Sequence, residues 1–165
     1  MLVLGVDPGL ATTGYGLVCE RDSGLQAVAY GVVTTPANVP LPERLQQLYR
    51  ELSALIREHC PDESAVEELY FSRNVRTAMS VGQARGVALL ALADANLSIT
   101  SYTPLTIKQA VTGYGGADKV QMQTTVKMLL QLNSVPRPDD AADALAVAIC
   151  HLHSARLNQV LRDSR

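Results

Sequence analysis

The hydrophobic residues of this chain change their period at Pro42, and that change sets the fold class. Before it, Leu2 to Val6, Tyr15 to Cys19 and Gln26 to Val33 are short apolar runs separated by turn residues such as Asp7-Pro8-Gly9, which predicts three strands in a meander. After it, Leu45, Leu48, Tyr49, Leu52, Leu55 and Ile56 recur every three or four residues. Pro42 to His59 is therefore an expected amphipathic helix, stopped before Pro61 and offering one face to the sheet. Strand and helix then alternate: Ser64 to Tyr70 reads as a strand, Val75 to Ala95 as a long helix rich in small residues, and Ile99 to Tyr102 as a strand. Helical segments near 104–111 and 118–132 flank the loop Gly113 to Gly116, and an alanine-rich helix from about 139 to 157 completes the series. Three successive strands followed by alternation predict an α/β architecture, a mixed five-stranded sheet flanked by helices. The Pro36 to Pro42 patch reads as a loop into the first helix, and no repeat or linker divides the chain. A single domain over residues 1–165 is expected, long enough to bury its own core.

Composition narrows the function classes. With 47% hydrophobic and 18% charged residues and no apolar run near the ~18 residues that a membrane span requires, the chain reads as a globular protein rather than a membrane-spanning one. The opening MLVLGVDPG lacks a basic leader and a long apolar stretch, so the expected compartment is the cytoplasm. Cys19, Cys60 and Cys150 are odd in number, widely separated and without a CxxC pair, which predicts neither a disulfide framework nor a zinc site. A net charge of −2 argues by itself against a nucleic-acid partner, but the average hides an asymmetry. Residues 1–68 carry four Lys/Arg against ten Asp/Glu, whereas residues 69–127 carry six (Arg73, Arg76, Arg85, Lys108, Lys119, Lys127) against two. The middle of the chain is suited to facing phosphates.

Acidic residues carry the chemistry. Asp7 ends the first strand, where polar groups are well placed for ligands, although Asp-Pro-Gly is also a common turn sequence. Glu67 and Glu68 lie at the end of another strand, where alternation sends them to opposite faces, so one of the two can join Asp7. In the last helix, Asp143 shares a face with Asp140 at a spacing of three or with Asp139 at a spacing of four; the spacing does not choose between them, and a helix-capping role fits either. Asp143 stands among Ala141, Ala142, Ala144, Leu145 and Ala146, where a lone carboxylate is costly. Carboxylates drawn together repel by about 4 kcal/mol per pair at ~4 Å and an effective dielectric of 20, so a cation is expected between them. Oxygen ligation suits Mg²⁺ or Mn²⁺, and two such ions are suited to phosphodiester hydrolysis. No GxxxxGK[ST] loop or GxSxG elbow is present. His151 and His153 read as surface residues, and His59 as a favourable charge at a helix end.

At this point the sequence resembles the RuvC family of Holliday-junction resolvases. GVDPGLATTGYG is similar to the family's first-strand signature and AVEELYFSRNVRTAMSVGQARGVALL to its second acidic strand and following helix. TPLTIKQAVTGYGGADKVQMQ is similar to its basic loop region, and DDAADALAVAICH to its terminal acidic helix. The four blocks occur in family order. The resemblance implies a ribonuclease-H-like fold, a homodimer, and paired symmetric nicking of four-way DNA junctions in recombination and repair, leaving 5′-phosphate and 3′-hydroxyl ends. It places the catalytic and metal-binding acids on Asp7, Glu67, Asp140 and Asp143, and basic residues near the scissile phosphate on Lys108 and Lys119.

The same resemblance implies that Tyr70 stacks on an unpaired base, with Arg73, Asn74, Arg76 and Arg85 as further DNA contacts. It implies dimerisation through the helix carrying Met79, Gly82, Ala84, Gly86 and Ala88, and it makes RuvA and RuvB the expected partners. Rival expectations are a YqgF-like nuclease, which also opens GxDPG, and a junction-binding protein without catalysis. An actin or sugar-kinase type of ATPase needs a far longer chain.

Overall fold

The computed structural model describes the backbone of residues 1–68 and 75–163 and, within the second span, the side chains of 78–156. The strands are β1 (Leu2–Asp7), β2 (Thr12–Arg21), β3 (Gly24–Thr34), β4 (Glu63–Glu67) and β5 (Ser98–Tyr102). The helices are α1 (Leu41–His59), α2 (Val75–Asp94), α3 (Pro104–Thr112), α4 (Lys119–Leu129) and α5 (Asp139–Asp163). The strands form one sheet in the order β3-β2-β1-β4-β5. β1, β2 and β3 pair antiparallel, while β1–β4 and β4–β5 pair parallel. A tight turn suffices to join antiparallel neighbours, whereas parallel ones need a crossover, which α1 and α2 supply.

Alternation along β1 divides the core. Leu4 and Val6 face α1 and α2, packing with Leu48, Leu52, Ile56, Ala88 and Leu92. Val3 faces the other way, against Leu145, Ala148 and Ile149 of α5 and Ile107 and Val126 of α3 and α4. Helix α5 shows no single apolar stripe because its first three turns are enclosed nearly all round: every residue from Ala144 to Cys150 is buried.

Helix α5 lies unusually close to the sheet, and glycines make this possible. A Cβ on Gly5 would come within 2.2 Å of the Ala144 carbonyl oxygen, one on Gly14 within 1.9 Å of the Asp140 carbonyl oxygen, and one on Gly16 within 2.8 Å of the Leu145 nitrogen. No side chain fits at these positions, so the helix axis sits on a groove of bare backbone across β1 and β2. Helix starts follow local chemistry. Asp118 caps α4 through the Gln121 amide while the Gln121 side chain returns a bond to the Asp118 amide, and Thr103 caps α3 ahead of Pro104.

Two expectations change. Strand β4 ends at Glu67 rather than at Tyr70; the Glu68 amide donates to the Tyr102 carbonyl at 2.8 Å. His151 is not a surface residue: it is buried, with Nε2 2.6 Å from the Glu63 carboxylate and Nδ1 3.0 Å from the Tyr102 hydroxyl. Both partners reach it from strands that the sequence does not place beside α5. His153 is half-buried, with Nδ1 2.9 Å from the Ala110 carbonyl oxygen. Cys19 and Cys150 are buried free thiols, and Cys60 is an exposed one in the left-handed cap of α1. Among the described residues, no helix is long and apolar enough to cross a membrane.

Candidate active site

β1 and β4 are parallel neighbours, so their carboxyl ends lie side by side and deliver Asp7 and Glu67 to the same edge of the sheet. Asp7 shares the side of Gly5, and Glu67 the side of Ala65, which is the face covered by α5. The first turn of α5 crosses that edge. Asp7 is paired in register with Gly14, and the Asp140 carbonyl rests on Gly14, so Asp140 and Asp143 hang over the strand ends.

The electrostatics record this convergence. Burial, reinforced by the charges of Glu67, Asp143 and Asp140, pushes the Asp7 carboxyl up from 3.8 to about 8. Burial and the Asp143 charge also raise Glu67, against the hydrogen bond it accepts from Asp7 and the pull of Lys108. Asp143 is raised chiefly by burial and held down by Lys119. At neutral pH the metal-free site thus keeps a proton on Asp7, shared with Glu67.

The loop behind Asp7 is fixed by polar side chains that sequence reasoning missed. The fully buried Thr13 hydroxyl donates to the Gly9 carbonyl at 2.6 Å and accepts from the Gly9 amide at 3.4 Å. The Thr35 hydroxyl donates to the Leu10 carbonyl and accepts from Arg44 Nε at 2.9 Å. Arg85 braces the other strand end, donating from Nη2 to the Ser101 hydroxyl at 2.8 Å and from Nε to the Glu67 carbonyl at 3.3 Å.

A cleft of about 210 Å³ opens beside the acids, lined by Glu67, Asp143, Lys108, Lys119, Pro104, Ile107, Met122 and Ala146. The structure therefore brings both lysines to the carboxylates although ten residues lie between them in sequence. It also distinguishes Asp139 from Asp140. Asp139 turns to Lys119 at 2.8 Å, Arg137 at 2.7 Å and Gln123 at 2.9 Å, whereas the helix charges that act on Asp7 are those of Asp140 and Asp143. Among the described residues, no three carboxylate, imidazole or thiol side chains stand close enough together to hold a metal ion in this arrangement. The acids line two walls, Asp7 and Glu67 on the strands and Asp140 and Asp143 on the helix. Tyr70, Arg73 and Asn74 lie outside the described residues, as does the side chain of Arg76.

A mixed sheet of this order, with acids at adjacent strand ends and on a crossing helix, defines a ribonuclease-H-like α/β protein. The family profile described as "Crossover junction endodeoxyribonuclease RuvC" matches residues 3–151. A relative of that name from Syntrophomonas wolfei is 54% identical over 164 residues, covering 99% of this chain and 95% of the relative. One from Chloroflexus aggregans is 61% identical over 156 residues, 94% of either chain. The Thermus thermophilus RuvC structure in complex with a Holliday junction substrate is 34% identical and superposes with a TM-score of 0.91, covering 96% of both chains. The chain belongs to the RuvC family.

Proposed function

We infer that this acid cluster is the centre of an endonuclease that resolves four-way (Holliday) DNA junctions by paired, symmetric nicks, in recombination and repair. The observation that carries the reading is the accumulation of four carboxylates at one sheet edge, with Asp7 forced to about 8 by burial and by its neighbours' charges. Such a set is costly unless a cation resides there. The donors are all carboxylate oxygens, which suits a hard divalent ion. Asp7, Glu67, Asp140 and Asp143 would hold Mg²⁺ or Mn²⁺, at two ions per subunit. When bound, such ions activate water and stabilise the leaving oxygen.

The chain's own residues supply position and charge. Lys108 and Lys119 seat the scissile phosphate over the cleft and offset the charge that develops on it in the transition state. Water attacks phosphorus, the P–O3′ bond breaks and O3′ takes up a proton, so the two ends at each nick are a 3′-hydroxyl and a 5′-phosphate of the same strand. Tyr70 stacks on a base unpaired at the crossover, and Arg73, Asn74 and Arg76 contact the backbone beside it. Arg85 contributes from behind Glu67.

The outer side of α2 exposes Met79 and Leu90 and has open space at Gly82 and Gly86. A second copy packs there, giving a homodimer with two centres for the two nicks. RuvA and RuvB are the branch-migration partners, and the cytoplasm is the compartment.

The test uses an end-labelled four-way junction and a matched linear duplex, incubated with Mg²⁺, Mn²⁺ or EDTA and run on denaturing gels. Symmetric nicks in the junction alone, absent with EDTA, are expected. Tight binding without nicks in either metal would move the assignment to a junction-binding protein.

A further inference from the structure

Asp139 adjoins the acid cluster without joining it. Its Oδ2 lies 2.8 Å from Lys119 Nζ, and its Oδ1 is 2.7 Å from Arg137 Nη1 and 2.9 Å from the side-chain nitrogen of Gln123, which is itself buried. These bonds hold the Asp139 carboxyl below the usual carboxylate range, the Lys119 bond first, and hold the Lys119 ammonium above its ordinary value. Both oxygens are thus engaged by cationic or amide donors. The cations point outward, with side chains 56% and 71% exposed against 37% for the acid between them.

We propose that Asp139 is a positioning residue that fixes Lys119 and Arg137 side by side as a two-cation seat for the DNA backbone phosphate next to the scissile bond. This rests on the nuclease reading above. Exposed ion pairs add little to stability, so stability does not account for the arrangement. What it does supply is order: a lysine and an arginine that would otherwise sample many rotamers are held at the cleft rim before substrate arrives. The group of one acid and two bases keeps a net positive charge, as a phosphate requires. Lys119 lines the cleft, and Arg137 is tied to it through the Asp139 carboxylate that both contact.

The experiment compares the full-length protein with Asp139→Asn, Arg137→Gln, Lys119→Met and the Asp139→Asn/Lys119→Met pair on a four-way junction. Asparagine still accepts the Gln123 bond but lacks the charge that gathers the cations. Asp139→Asn is expected to slow single-turnover cleavage about tenfold, the order of a charge-stabilising contact misplaced rather than removed. Metal-free junction affinity should be unchanged or tighter, because an anion has left the phosphate path. In the Lys119→Met background the Asp139 substitution should slow cleavage by less than it does alone, because only Arg137 is left to misplace. Arg137→Gln should weaken binding and lower the slope of log affinity against log salt by about 0.9.

Wild-type cleavage rates in Asp139→Asn, joint loss of rate and affinity, rescue of the rate by raised Mg²⁺, or an unchanged salt slope in Arg137→Gln would each overturn the proposal. A wild-type protein that leaves the junction uncut removes the nuclease reading and this proposal with it. Wild-type cutting with no effect of Asp139→Asn removes this proposal alone.

Discussion

Asp7→Asn is expected to stabilise the metal-free protein near pH 8 while reducing junction cleavage on the order of 10³-fold or more. The folded-state value of Asp7, about 8, lies above its ordinary 3.8. Its contribution to stability therefore belongs to the protonated form. It is complete below about pH 4, falls away as pH rises toward 8, and is lost above that. A difference of about four units is worth at most roughly 6 kcal/mol, and relaxation of the site brings the expected gain nearer 2–4 kcal/mol. Asparagine can donate to Glu67 as the protonated acid does, so the variant avoids the cost of ionisation and should match wild type near pH 4. Denaturation in EDTA at both pH values, with cleavage and junction binding measured alongside, checks this. Lower stability of the variant near pH 8, or loss of binding together with cutting, would contradict the assignment.

The second large effect is expected at a residue with no functional group. Gly14→Ala places a Cβ 1.9 Å from the Asp140 carbonyl oxygen, with backbone on both sides of the clash. The first turn of α5 must lift by more than about 1 Å to restore van der Waals separation near 3.5 Å. Overpacking of this kind costs about 1–3 kcal/mol or somewhat more. Gly14 is the register partner of Asp7, so the lift widens the gap between Asp7 and the helix acids. A misplacement of ~1 Å costs about 10² in rate. Both a lower denaturation midpoint and a cleavage defect beyond what unfolding explains are expected; a fully active and stable Gly14→Ala would show that α5 is not held at this distance by the glycine groove.

The order of the elements was legible because each rests on local patterning: short apolar runs ended by turn residues before Pro42, and a period of three to four after it. Spacing left Asp139 and Asp140 equivalent. They differ by their partners, Lys119, Arg137 and Gln123 for Asp139 and the charge of Asp7 for Asp140, and this depends on how α4 and β1 pack. His151 misled for the same reason. Its partners Glu63 and Tyr102 belong to β4 and β5, and an alanine-rich helix gives no stripe from which to infer that it is enclosed. The shared role of Gly5, Gly14 and Gly16 appears only once β1 and β2 are paired beneath α5.

If the strand-end and helix acids form one divalent-ion centre, calorimetric titration of Mn²⁺ into the metal-free protein at neutral pH, in two buffers of different ionisation enthalpy, will register it. Binding is expected, with a heat that depends on the buffer because Asp7 must release its proton. Asp7→Asn and Glu67→Gln should each weaken binding severely, and Asp7→Asn should remove the buffer dependence. Absence of binding, or binding that both substitutions leave unchanged, would contradict the account.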